Sequence, residues 1–160
     1  MSDYYIDLNR KRAFRAYQVV SALTQRNDDE DKYTKDMDEE NKRKWQEEQA
    51  KKLEDRKKEI RTLCRKLPVL IQQNSLLTTL MYLAKEKEND EEESNKKVST
   101  YLWEQILKWL REYMEQDKMS IEQFYEKKIC LCDISEYRTL TTEALLFTSW
   151  LKKSAEGMLG

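Results

Sequence analysis

A chain with two glycines and one proline in 160 residues has almost no means of making the tight turns of a β-rich fold. Those turns need residues at positive φ, which glycine supplies at no steric cost, so its scarcity argues against sandwiches and barrels and for an all-α fold. The length suits one domain with its own core, residues 1–160. The stretch LPVLIQQNSLLTTLMYLAKEK, Leu67 to Lys87, indicates where that core lies. In a chain of which 38% is charged, no charged residue occurs from Pro68 to Ala84. The run is too short to span a membrane, and Gln72, Gln73, Asn74, Ser75, Thr78 and Thr79 are costly in hydrocarbon. Leu70, Ile71, Asn74, Leu77, Leu80, Met81 and Ala84 follow an i, i+3, i+4, i+7 pattern, with Val69, Leu76, Leu80 and Leu83 as a second apolar line. This predicts a helix buried on most sides at the centre of a bundle. Its core residues would be Leu70, Ile71, Leu77, Leu80 and Met81, packed by the last helix through Tyr137, Ala144, Leu145 and Leu151.

The pattern predicts a compact bundle of about six helices with a charged inserted helix and loop region. The first runs from about Tyr5 to Gln25, with Ala13, Ala16, Tyr17, Val20 and Leu23 on one face. RNDDEDKYTKDMDEE then breaks the period and reads as a solvated acidic linker. A calcium loop would need a central glycine and a terminal glutamate at the right spacing. From about Lys35 to Lys66 strong helix formers dominate, and the regular apolar stripe, Leu53, Ile60, Leu63, Cys64 and Leu67, lies at the end. The first half is therefore expected to project into water and the second to dock, so residues 26–58 read as a charged insertion. Pro68 is expected to end this helix and open the next. Residues 85–97 read as a charged loop. A fourth helix, about Val98 to Glu115, puts Val98, Tyr101, Leu102, Ile106, Trp109, Leu110 and Tyr113 on one face. SIEQ has capping-box spacing between Ser120 and Gln123. The last helix starts near Asp133, with Ile134, Tyr137, Leu140, Ala144, Leu145, Thr148, Leu151 and Ala155 on its apolar face and Gly157 placed for a C-terminal cap.

Catalytic machinery is hard to find. The absence of histidine removes the commonest general base and most zinc ligand sets. Cys130 and Cys132 are separated by one residue, unlike a zinc knuckle, and read as small semi-buried hydrophobes beside a helix start. Two glycines cannot build a phosphate-binding glycine loop or a nucleophile elbow. These features predict a non-enzyme with no cofactor, no metal and no small-molecule substrate. Three cysteines and no signal peptide predict a reducing, cytoplasmic setting.

The basic residues carry more information. Net charge is only −1, but its distribution is uneven: Asn41 to Leu67 holds eleven Lys or Arg against five Asp or Glu, and Arg26 to Glu40 three against eight. Arg10, Lys11, Arg12 and Arg15 cluster near the start of the first helix, with Arg61, Arg65 and Lys66, then Lys152 and Lys153, further on. Such clusters can track phosphates through counterion release or simply solubilise the surface.

CRKLPVLIQQNSLLTTLMYLAKEK resembles the signature helix of the small subunit of Cmr-type (type III-B) CRISPR effector complexes, through Leu67, Pro68, Ile71, Asn74, Leu76 and Lys85 or Lys87. YRTLTTEALLFTSWLKKSAEGML is similar to the end of that family, through Tyr137, Arg138, Thr142, Glu143, Ala144, Leu145, Trp150, Leu151, Ala155 and Glu156. RAFRAYQVV resembles its first helix less specifically. Ser75 stands where the family usually has glycine, and residues 26–58 look like an insertion.

The resemblance implies a non-catalytic helical subunit of an antiviral ribonucleoprotein that stacks in several copies, packs against the backbone and large Cmr subunits, and lines the channel where guide RNA pairs with target RNA. Its RNA contacts would be to shape and backbone. Arg138 lies inside a matched segment. With it, the candidate RNA-binding set is Lys11, Arg12, Arg15, Arg61, Arg65, Lys66, Arg138, Lys152 and Lys153. Two other readings remain at this point: the small subunit of the Csm-type (III-A) complex, and a helical adaptor unrelated to RNA. None of the three involves a membrane.

Overall fold

The computed structural model describes residues 2–24, 35–84 and 97–160. Most of the acidic linker and residues 85–96 of the charged loop lie outside the described residues, as do Lys85 and Lys87 of the signature pattern. Among the described residues all regular structure is helical, in the order α1 (Ser2–Thr24), α2 (Glu39–Asn74), α3 (Leu76–Ala84), α4 (Val98–Tyr113), α5 (Ile121–Phe124), a π-helical stretch (Tyr125–Cys130) and α6 (Ile134–Leu159). The chain is thus an all-α bundle.

α6 lies between α1 and α2 and packs along both. Asn9 meets Trp150 and Arg12 meets Glu143, so α1 runs antiparallel to α6. Arg61 meets Leu159 and Arg65 meets Glu156, so α2 does the same on the other flank. Behind this layer sits α4, which contacts α3, α5 and α6.

The bundle's centre differs from the sequence expectation. α4 buries Val98, Ser99, Thr100, Leu102, Trp103, Ile106, Leu107, Trp109 and Leu110 over roughly half of its circumference, with Glu104, Gln105, Lys108 and Glu112 on the other side. The predicted central helix contributes Ile71, Leu76, Leu80 and Leu83, but Leu70 and Leu77 are only half-buried, Val69 is exposed, and Met81 is 59% exposed. An uncharged run thus overstated how many of its sides are covered. In α1, Ala16, Val20 and Leu23 are buried as expected, with Val19 beside them, whereas Ala13 is half-buried and Tyr17 faces solvent. In α2, residues 39–55 are exposed apart from half-buried Trp45 and Gln49. Its buried stripe is Ile60, Cys64, Leu67 and Ile71; Leu53 is exposed and Leu63 half-buried.

Pro68 does not stop α2. The helix continues to Asn74 with Pro68 inside it. Proline inside a helix forfeits a backbone bond and costs about 3 kcal/mol. Yet Ile60, Cys64, Leu67 and Ile71 form one stripe across it, and a break there would throw the two halves of that stripe out of register.

The break comes instead at Ser75, with φ 86° and ψ 161°. The Ser75 N–H still donates to Ile71 O, while its carbonyl accepts from the N–H and hydroxyl of Thr79, so one residue closes α2 and opens α3. This backbone region favours glycine almost exclusively, which accounts for glycine in the family pattern. The Ser75 hydroxyl caps α3 by accepting from Thr78 N–H at 3.3 Å. Glycine at an N-cap loses only a few tenths of a kcal/mol relative to serine, less than the strain it removes. Ser75→Gly is therefore expected to stabilise the fold by about 1 kcal/mol in urea denaturation. A destabilised variant would show that the hydroxyl cap outweighs the backbone strain.

The capping signals appear where expected. Ser120 and Gln123 form a reciprocal capping box, and Asp133 accepts from Glu136 N–H at the start of α6. Ile134, however, is 72% exposed, and α6 runs through Gly157 to Leu159. Gly157 is therefore not the cap. The helix ends at Leu159, with Gly160 as the C-cap residue whose N–H donates to Glu156 O.

Candidate nucleic-acid interface

The basic residues singled out in the sequence divide by what holds their side chains. Arg12 leaves the set. It is 3% exposed, its Nε and Nη2 donate to the two Glu143 carboxylate oxygens at 2.7 Å each, and Trp109 Nε1 donates to the same carboxylate at 2.9 Å. Burial of so large a cation requires such a fork, and a guanidinium committed to it cannot reach a phosphate. Sequence periodicity placed Arg12 beside Lys11 and Arg15 without revealing that it faces inward at the level of Ala16.

Arg15 belongs to the same knot. It is bonded to Glu112, and its guanidinium carbon lies 5.6 Å from the Trp109 ring centroid. Trp109 in turn stacks on Phe147 with centroids 5.3 Å apart. These contacts join α1, α4 and α6. Arg61 donates to Leu159 O at 2.7 Å, tying down the C-terminal end of α6, where a cation suits the helix dipole. Arg56, not singled out in the sequence, does the same for α1 by donating to Leu23 O at 2.7 Å.

The remaining candidates face outward. Lys11 is paired with Asp7 at 3.0 Å and Arg65 with Glu156 at 3.6 Å, both between exposed groups. Such pairs are worth about 0–1 kcal/mol and exchange readily for another anion. Lys66 and Arg138 are exposed and Lys152 is half-buried. Lys153 is exposed, with its ammonium 4.5 Å from the Trp150 ring centroid. Lys66 follows Thr62 and Leu63 by about a turn, beside an open groove of about 480 Å³ lined by Asp55, Lys58, Glu59, Thr62, Leu63, Tyr82 and Ser99. With two carboxylates against one ammonium, that groove is ill suited to a phosphate.

The outer faces of α1 and α6 are different. From Leu8 to Thr24 there is no carboxylate. From Tyr137 to Ala155 there is one, Glu143, and it is buried on Arg12. Two adjoining helices of a chain with 31 acidic residues thus present no exposed acid over most of their length. They present Arg10, Lys11, Arg138, Lys152 and Lys153 instead. Arg138 and Lys152 are about four turns apart on the same side of α6, roughly 21 Å at 1.5 Å per residue. Arg10 belongs to the basic cluster of the first helix seen in the sequence but was not in the candidate RNA-binding set; it faces outward beside Lys11.

Two other matched residues hold helices together. Tyr137 accepts a hydrogen bond from Leu77 N–H at 3.0 Å just past the Ser75 break, and Trp150 donates to Asn9 at 2.9 Å. Cys64 is buried, and burial pushes its thiol up to about 12. Cys132 is half-buried and also raised, first by burial and then by the negative charge of Glu136 and Asp133. Cys130 is exposed, not semi-buried as its sequence context suggested. Among the described residues no group of three or more His, Cys, Asp or Glu is arranged to hold a metal ion, and no helix is long and apolar enough to cross a membrane.

The fold and this surface define an all-helical protein whose ordered interior is structural and whose distinctive exterior is a one-signed cationic face. The chain belongs to the CRISPR-associated protein family Cas_Cmr5, whose family model matches residues 37–158. The match includes the exposed first half of α2 and leaves α1 outside it. No curated protein matches the chain.

Proposed function

We propose that this chain is the non-catalytic small subunit of a type III-B ribonucleoprotein that lines the guide and target RNA channel with the outer faces of α1 and α6. The observation that carries this reading is the acid-free surface with Arg10, Lys11, Arg138, Lys152 and Lys153. A surface that merely solubilises a protein mixes both signs, as residues 39–59 of this chain do, whereas one sign over two helices favours a polyanion. Family membership favours the Cmr-type complex over the Csm-type one. The reading of the chain as non-catalytic rests on the lack of histidine. Backbone and large Cmr subunits, further copies of this chain, guide RNA and target RNA are its partners in this proposal, and the cytoplasm is its setting. The exposed first half of α2, residues 39–55, is a charged projection outside the RNA track in this proposal.

Near-neutral overall charge limits what one copy can do, because tight binding needs many phosphate contacts at once. Stacked copies would align these faces and raise the effective concentration of cations along the strand. Neutralising Arg138, Lys152 and Lys153 together is expected to weaken target-RNA binding by the reconstituted complex. It should also make the logarithmic salt slope shallower by about 0.7 for each single-strand phosphate that no longer has a cation beside it. Unchanged affinity and slope would leave the subunit as an architectural brace. Recovery of Cmr subunits and RNA in a pull-down, with the RNA lost on ribonuclease treatment, separates this reading from a helical adaptor.

A further inference from the structure

We propose that α1 carries a stacking platform for unpaired bases of a single-stranded nucleic acid, with Phe14 and Tyr17 offering ring faces and Arg10 and Lys11 holding the flanking phosphates. The proposal rests on the RNA-channel reading for the identity of the strand. It goes beyond that reading by assigning contacts to bases where only backbone contacts were expected.

Phe14 is 62% exposed and Tyr17 52%. Phe124, Phe147, Trp103 and Trp109 are in the core, whereas Tyr82, 53% exposed, lies in the groove with Asp55, Lys58 and Glu59, where acids outnumber cations. Phe14 and Tyr17 are three residues apart, so their side chains are neighbours on one helix face, with Cβ atoms about 5–6 Å apart. Arg10 stands one turn before Phe14 on that face. Exposed rings alone would serve a protein partner equally well, and it is the surroundings that decide. No carboxylate occurs from Leu8 to Thr24, and Gln18 beside the rings is exposed and polar. Asp7, one turn before Lys11, is paired with it at 3.0 Å, and beyond that pair the face carries no acid; rings beside Arg10 and an exchangeable Lys11 fit a ligand that is at once anionic and flat-faced, which describes a single strand with unstacked bases. A duplex cannot use the rings, because its bases are already stacked on one another.

The test titrates the full-length chain at low salt with a fluorescent single-stranded RNA and with the same RNA annealed to its complement. Phe14→Ala and Tyr17→Ala are each expected to weaken single-strand binding by about 5-fold to 100-fold. The salt slope should stay unchanged because no charge is removed, and duplex binding should be unaffected. Phe14→Trp and Tyr17→Trp should retain affinity, while Phe14→Leu, apolar but without a ring face, should lose it. Because both side chains are exposed, thermal unfolding of every variant should match the parent.

Retention of affinity by the leucine variant, or equal losses on single strand and duplex, would overturn the platform. So would alanine variants that leave RNA affinity intact but release another subunit from the reconstituted complex, since the face would then dock protein. If neutralising Arg138, Lys152 and Lys153 weakens binding while the ring variants do not, the stacking proposal falls and the channel reading stands. If neither set has an effect, both fall.

Discussion

Glu143→Ala is expected to lower the stability of the fold by about 3–5 kcal/mol, because it leaves the Arg12 guanidinium buried without its counter-charge. The pair is deep: Arg12 and Glu143 are both almost completely shielded from water, and both carboxylate oxygens are engaged. Trp109 would lose the acceptor for its indole N–H in the same step, and with it part of what orients the ring between Arg15 and Phe147. The size of the effect reflects an orphaned charge more than a strong bond. Replacing the whole pair with apolar residues of similar volume, Arg12→Met with Glu143→Leu, should therefore recover most of the loss. Urea denaturation of Glu143→Ala and of the double variant checks this. A loss below about 1 kcal/mol for Glu143→Ala would mean that water reaches the pair. The double variant also separates scaffold from RNA contact: since Arg12 is internal, its replacement alongside Glu143 should leave RNA affinity unchanged.

Leu80→Ala should cost about 2–5 kcal/mol, through lost burial and the cavity left behind. Leu80 is fully buried in α3, a helix of nine residues. Helices this short are not stable alone in water, so α3 persists only by docking Leu76, Leu80 and Leu83 against its neighbours. The adjacent Met81→Ala provides the control. Met81 lies largely in solvent, so its truncation should fall within about 0.5 kcal/mol of the parent. Similar losses at the two positions would contradict the assigned rotation of α3.

The difference between those two residues shows how far sequence periodicity reaches. The uncharged run from Pro68 to Ala84 signalled a buried helix, but a run apolar on several sides cannot say which side has a neighbour. Leu80 and Met81 both matched the helical pattern, and only the position of α4 decided between them. Likewise Tyr17 fitted the apolar stripe of α1 and Ile134 that of α6, yet both face outward because among the described residues no helix covers them. Of the nine candidate cations, those later found engaged at Glu143, Glu112 and Leu159 O are held by partners far away in the chain, beyond the reach of any local pattern.

What the sequence determined by itself were the properties that depend on near neighbours along the chain. Scarce glycine argued for an all-helical fold, the Ser120 and Gln123 capping box appeared where its spacing placed it, the last helix started at Asp133, and Ile60, Cys64 and Leu67 marked the docking stripe of α2. The tertiary structure alone decided where the long helix breaks, which arginine is internal, and which faces of α1 and α6 reach solvent without an acid. The reason is physical. Helix propensity, capping and amphipathic period act over a few residues, whereas carrying a helix through Pro68, bending it at Ser75 and burying Arg12 are each unfavourable locally and persist only because packing between distant segments repays the cost.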